Sequence, residues 1–143
     1  MIRVAIVGAT GMVGRMFLKV LEERKLPIDE YVLFASKRSA GQKLHFMKKE
    51  YIVQELTESS FDSGFTYALF SAGGDISTKY APIAASKGCI VIDNSSAWRM
   101  NKDVPLIVPE VNSFAINTHK NIIAKWRSTQ VKRDFSKNWR NIH

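Results

Sequence analysis

The stretch Ile2-Arg3-Val4-Ala5-Ile6-Val7-Gly8-Ala9-Thr10-Gly11-Met12-Val13-Gly14 decides the fold. Its apolar, β-branched run reads as a strand covered on both faces, the habit of parallel sheets. The run stops at a turn with glycines spaced G-x-x-G-x-x-G. Beyond it Val13, Met16, Phe17, Val20 and Leu21 recur at helical spacing, with Arg15, Lys19, Glu22 and Glu23 on the other side, so a helix begins within the turn. Gly8 permits a sharp exit from the strand, Gly11 lets the backbone approach a pyrophosphate, and Gly14 lets the helix lie close on the sheet. The helix-start N–H groups then face an anion, which the helix dipole also favours. The first two glycines stand one residue further apart than in the usual dinucleotide fingerprint, and an empty tight turn satisfies the same pattern. The buried strand directly before the turn is what points to a nucleotide.

Working outward, Lys25-Leu26-Pro27 closes the helix, because proline cannot continue the hydrogen-bond ladder. A second buried strand reads at residues 31–35, followed by Ser36-Lys37-Arg38-Ser39-Ala40-Gly41. In a dinucleotide fold an acid at this point accepts the adenosine ribose hydroxyls, whereas a basic residue accommodates a 2′-phosphate. Here there is no acid. Arg38, flanked by the hydroxyls of Ser36 and Ser39, favours NADP over NAD, although a solvated loop charge is the plainer reading of any one arginine. Asp29 and Glu30 precede the strand, at its wrong end.

Residues 42–55 suggest short strands with Leu44, Phe46, Tyr51 and Val53 inward. Residues 65–70 make a third strong strand, and Ser71-Ala72-Gly73-Gly74 is a second glycine turn, placed where a parallel sheet binds ligands and equally where a strand needs to enter a helix. Asp75 or Ser77 is the expected cap of a helix reaching Ser86, with Tyr80, Ile83 and Ala84 inward and Pro82 expected to kink it or shift its start; Gly88 ends it. Cys89-Ile90-Val91-Ile92 is another buried strand, running into the polar loop Asp93-Asn94-Ser95-Ser96-Ala97-Trp98-Arg99-Met100. Strands alternating with helices predict an α/β, Rossmann-like doubly wound, mostly parallel sheet with helices on both faces.

At 143 residues the chain holds one domain, and 45% hydrophobic with 24% charged residues is ordinary for a soluble globular protein. It contains no apolar run of membrane-spanning length and no evident leader, so a cytoplasmic protein without a membrane role is expected. One cysteine excludes an internal disulfide, and Cys89, His45, His119 and His143 lie too scattered for a metal site. The net charge of +8 is concentrated at the end: residues 125–143 carry six Lys or Arg against one Asp, leaving +3 for residues 1–124.

G-A-T-G-M-V-G at 8–14, S-K-R-S-A-G at 36–41, S-A-G-G at 71–74, V-I-D-N-S-S-A-W-R-M at 91–100 and V-P-L-I-V-P-E-V-N at 104–112 stand in an order that resembles the NADP-dependent aspartate-semialdehyde dehydrogenases. The resemblance covers residues 1–124, an NADP-binding domain. It implies that Thr10, Gly11, Met12 and Val13 hold the cofactor phosphates, that Arg38 and Ser39 meet the 2′-phosphate, and that Ser71, Ala72 and Gly73 lie along the cofactor. It also implies that Arg99 binds the phosphate of an acyl-phosphate substrate, a role suited to a planar fork of charged donors. The family reduces β-aspartyl phosphate to the semialdehyde on the way to lysine, threonine and methionine: a cysteine thiolate is acylated, hydride from NADPH resolves the thioester, and a histidine of a second domain handles the proton. Its members are homo-oligomers.

After Ala124 the family continues with asparagine-proline and the nucleophilic cysteine, but here the residues are Lys125-Trp126-Arg127-Ser128-Thr129-Gln130. Cys89 is expected to be a buried, inert thiol, and His119 and His143 are expected on the surface, so no catalytic residue is named. By the resemblance, the substrate and dimerisation domain is expected to be missing, and this chain alone is expected to be inactive. Residues 125–143, basic with Trp126, Phe135 and Trp139, read as an aberrant terminus rather than as a helix packed on the sheet or a nucleic-acid surface. The competing readings are an N-acetyl-γ-glutamyl-phosphate reductase-like domain, against which the Trp98-Arg99 pair argues, and a non-catalytic nucleotide- or nucleic-acid-binding protein.

Overall fold

A computed structural model describes residues 1–125; the basic, aromatic segment from Trp126 onward lies outside the described residues. The opening run forms β1 (Arg3–Val7), and the chain continues through α1 (Met12–Arg24), β2 (Glu30–Ala35), β3 (Lys43–Phe46), β4 (Lys49–Ile52), β5 (Gln54–Glu55), β6 (Tyr67–Phe70), α2 (Gly74–Ser86), β7 (Ile90–Asp93) and β8 (Leu106–Ile107). It closes with α3 (Pro109–Asn112), a 3-10 helix η1 (Ser113–Thr118) and β9 (Ile122–Lys125). Seven strands build one sheet in the order β5-β2-β1-β6-β7-β9-β8, every pairing parallel, while β3 and β4 form a separate antiparallel hairpin. The chain leaves β1 toward β2 on one side and returns to β6 on the other, so the strand order reverses at β1. That reversal opens a crevice at the carboxyl ends of the strands.

The period of two along each strand divides the core. Ala5, Val7, Phe34, Ala68, Phe70 and Val91 face α2, through Ala81 and Ala84, and the aromatics of the connection before β6, with Phe61 touching Phe34, Phe65 and Phe70 at ring separations of 6.1 Å. Val4, Ile6, Tyr31 and Leu33 face Leu18 and Leu21 of α1, with Phe46 and Val53 of the hairpin region closing that side. Helices thus cover both faces, as the alternation predicts.

Two expectations about the helices need correction. The buried stripe of α1 is Gly14, Leu18 and Leu21, whereas Met16 and Val20 are exposed. The helix is turned so that its glycine points inward, and the apolar periodicity alone does not choose between the two neighbouring stripes. Neither Asp75 nor Ser77 caps α2: its N-cap is Gly73, without a side-chain cap, and the helix runs on through Pro82 to Ser86. Ser77 is instead buried on the inner side of the helix. At the other end of the sheet Asn112 clips the β8–α3 turn, accepting from Val108 N at 2.7 Å and donating to the Leu106 carbonyl at 2.8 Å.

The corrected α1 face makes a measurable contrast. Leu18→Ala is expected to lower the unfolding free energy by about 2–5 kcal/mol, and Met16→Ala by less than about 0.5 kcal/mol, in urea titrations of the chain.

Candidate functional site

The registers bring Phe34, Val7, Phe70 and Asp93 into one line across the sheet. The turns that follow these residues therefore stand side by side along the carboxyl edge. Ala35 pairs with Glu55 at one end of this line, and Asp93 with Ala124 at the other.

At its centre is the turn after β1. Gly8 has φ 88, a left-handed conformation suited to glycine. The N–H groups of Gly8 and Ala9 both donate to the Phe34 carbonyl, at 2.9 and 3.2 Å, and Gly11 N donates to Gly8 O at 3.1 Å. A Cβ on Gly14 would lie 2.0 Å from the Gly8 oxygen, so the first turn of α1 is pressed onto the glycine turn itself. A Cβ on Gly11 would meet only that oxygen, at 3.5 Å, an ordinary contact. The fold therefore requires a glycine at position 14, whereas the space above Gly11 is free for a ligand. Gly11 is the N-cap of α1 and gives no side-chain cap, which leaves first-turn N–H groups of Met12, Val13 and Gly14 to attract an anion.

A cleft of about 440 Å³ opens here. Of the expected site residues Gly8, Thr10, Gly11, Ser36 and Ala72 line it. Met12, Val13 and Gly14 form the adjoining first turn of α1. Ser71 stands between the two turns: its N–H and hydroxyl both donate to the Val7 carbonyl, at 2.9 and 3.2 Å, so it pins the end of β6 to that of β1. Gly73, with φ 92, starts α2. Arg38 is exposed on the turn after β2, which is closed by Ser39 N donating to the Ser36 carbonyl at 2.9 Å. Lys37, rather than Arg38, is the cation of that turn that lines the cleft.

Glu55, Leu56, Ile76 and Tyr80 also line it and were missed in the sequence. Ile76 and Tyr80, four residues apart on α2, carried a helical-spacing signal. Glu55 and Leu56 carried none, because only the sheet order places them beside β2.

Arg99 lies further along the same edge, in the loop after β7. The buried Asp93 carboxylate organises this loop, accepting from Ser95 N at 3.1 Å and Ser95 Oγ at 2.6 Å, while Asn94 N donates to the Phe70 carbonyl at 2.9 Å. Trp98 Nε1 donates to the buried Ser77 Oγ at 3.0 Å, fastening the loop to α2, and Arg99 Nη2 donates to the Asn94 carbonyl at 3.1 Å. The loop thus holds a guanidinium on the cleft side of the sheet.

Cys89 precedes β7 and so lies at the opposite edge, fully buried, its N–H donating to the Ala84 carbonyl at 3.2 Å. Burial pushes its thiol up to about 12, so the sulfur is protonated at neutral pH and is no nucleophile. Among the described residues no group of three or more His, Cys, Asp or Glu converges as a metal site, and no helix is long and apolar enough to cross a membrane.

Residues 3–119 match the model of the semialdehyde dehydrogenase NAD-binding domain. The chain is 63% identical over 118 residues to the aspartate-semialdehyde dehydrogenase of Aquifex aeolicus, covering 82% of this chain and 35% of that protein. The structure of aspartate semialdehyde dehydrogenase II from Vibrio cholerae, complexed with ASA, superimposes with a TM-score of 0.82 at 47% identity, over 90% of this chain and 42% of that one. Aspartate semialdehyde dehydrogenase with NADP from Candida albicans gives 0.70 at 25% identity, over 87% and 42%. The chain thus spans little more than a third of the length of the curated relatives it matches.

Two variants separate the glycines. Gly14→Ala is expected to cost at least about 2 kcal/mol of stability, whereas Gly11→Ala folds with near-native stability and loses affinity for dinucleotide in calorimetric titration. Cys89 gives a pH signature. Burial pushes the folded thiol up to about 12 from an ordinary 9.0, so its contribution to stability is complete below pH 9 and is lost as pH rises toward 12. The decline in stability over that window is expected to be shallower in Cys89→Ala than in the parent chain.

Proposed function

The chain belongs to the family of semialdehyde dehydrogenase NAD-binding domains, and on that premise we propose that it is the NADP-binding portion of an aspartate-semialdehyde dehydrogenase. The observation that carries this reading is the pairing of an uncapped α1 N-terminus with open space above Gly11, at the edge where the strand order reverses. A pyrophosphate fits there: Gly8 and Gly11 let it approach, and the first-turn N–H groups of Met12, Val13 and Gly14 donate to it. Thr10 and Ser36 border the same cleft with hydroxyls, and Ala72 gives it a small apolar wall. Arg38, with Lys37 and Ser39 on the same short turn, receives the 2′-phosphate of the adenosine ribose. Ser71 and Gly73 hold the second turn along the bound dinucleotide.

Arg99 serves the other reactant. Its loop is tied down by Asp93 and by the Trp98–Ser77 bond, so the guanidinium is held by the fold before any anion arrives, and it binds the phosphate of the acyl-phosphate substrate. When bound, the nicotinamide supplies hydride. The residues present do the binding and orienting, while in the family's chemistry the nucleophile and the proton-handling histidine lie outside the matched residues 3–119. Acting in the cytoplasm and assembling as a homo-oligomer are properties of the whole enzyme in this reading.

Titration of the chain with NADP and NAD tests the assignment. NADP is expected to bind more tightly, and Arg38→Ala is expected to weaken NADP by about tenfold with little change for NAD. A chain that binds neither nucleotide overturns the reading. Semialdehyde, phosphate and NADP mixed with this chain are expected to give no NADPH absorbance, and measurable turnover would show that a nucleophile is present after all.

A further inference from the structure

The sheet brings to the cleft an acid that the chain order hides. In dinucleotide folds the residue that receives a free ribose 2′-hydroxyl is an Asp or Glu at the carboxyl end of the second strand. That position here is taken by Ser36-Lys37-Arg38. The sheet, however, does not end at β2. β5 pairs in parallel beyond it, with Glu55, its last residue, in register with Ala35, the last residue of β2. Directly paired residues of a parallel sheet share a face, so the Glu55 side chain leaves the edge next to the turn that carries the cations. Glu55 lines the cleft together with Ala35, Ser36 and Lys37, and it is exposed to solvent there. Among the described residues no hydrogen bond or ion pair ties its carboxylate to another group. The nearby Glu58, by contrast, pairs with Lys79 at 3.8 Å and does not line the cleft.

We propose that Glu55 is a specificity-determining residue of the adenosine end of the cleft. Its carboxylate accepts a hydrogen bond from a free ribose 2′-hydroxyl and opposes a phosphoryl group at the same position, so that the chain accepts NAD alongside NADP. The wall around the 2′-position then has mixed sign. Lys37 and Arg38 draw the phosphate from one strand end, and Glu55 offsets part of that attraction from the neighbouring one. Since the groups are exposed, each contribution is small, and the result is a graded preference rather than exclusion of either dinucleotide.

This inference rests on the dinucleotide reading above, and one set of titrations separates their failures. Glu55→Gln, which keeps shape and removes charge, is expected to tighten NADP by about threefold and to weaken NAD by a similar factor, widening the ratio of their Kd values by about tenfold. Glu55→Ala moves the ratio in the same direction, and Glu58→Gln, the same charge change outside the cleft, leaves it unchanged. The gain for NADP shrinks at 1 M salt, where the repulsion it relieves is screened. Dinucleotide binding with a ratio that Glu55→Gln leaves unchanged, or shifts no more than Glu58→Gln does, removes Glu55 from the site and leaves the cleft assignment standing. Absence of binding of either nucleotide to the parent chain overturns both.

Discussion

The contact between Gly14 and the carbonyl of Gly8 is the constraint on which the site depends. No side chain fits between them, since a Cβ on residue 14 would lie 2.0 Å from that oxygen. Because the helix starts this close to the end of β1, its first N–H groups arrive at the carboxyl edge of the sheet instead of being spent on a longer connection. The same closeness turns the Gly14–Leu18–Leu21 stripe inward and leaves Met16 exposed. One steric requirement thus sets the helix rotation, the composition of one core face and the position of the anion-attracting terminus. Gly11 differs in kind, because the protein's own atoms leave it room.

The second organising fact is the parallel register. With every strand of the large sheet pointing one way, all strand-to-helix turns emerge on the same edge, and residues distant in the chain become neighbours there. Ser71 fastens the end of β6 to that of β1, and Trp98 fastens the loop after β7 to α2. These bonds turn separate loops into one wall. A cleft with the uncapped start of α1 at its centre and a guanidinium further along can therefore be built without any single long element spanning it.

Local signals made much of this readable. The β-branched run before Gly8, the turns at Ser36 and Ser71 and the apolar run before Asp93 each declare themselves within a few residues, and their alternation implies the parallel sheet. What escaped were features decided by tertiary contact. Met16 and Val20 share the periodicity of Leu18 and Leu21, and only the docking of Gly14 chooses between the stripes. Ser77 looks like a cap but serves as a buried acceptor for Trp98. Asp93 reads as one polar residue among many, although its carboxylate shapes the loop. Glu55 sits in a two-residue strand whose neighbour, β2, ends about twenty residues earlier. Pairing at that separation leaves no local trace.

The placement of β9 fixes where the chain passes the carboxyl edge for the last time among the described residues. β9 lies beside β7 with Ala124 opposite Asp93, so the carboxyl end of β9 stands on the edge that holds the cleft and Arg99. By the resemblance, the family's cysteine motif begins just after Ala124, the residue paired with Asp93. The turns after β1, β2 and β6, proposed to meet the dinucleotide, and the loop after β7 that carries Arg99 all precede that point in the chain. Where the family carries its cysteine motif this sequence reads Lys125-Trp126-Arg127, a departure that falls after every residue of the proposed binding surface. Cys89 offers no substitute, because it precedes β7 at the far edge and burial keeps its proton on.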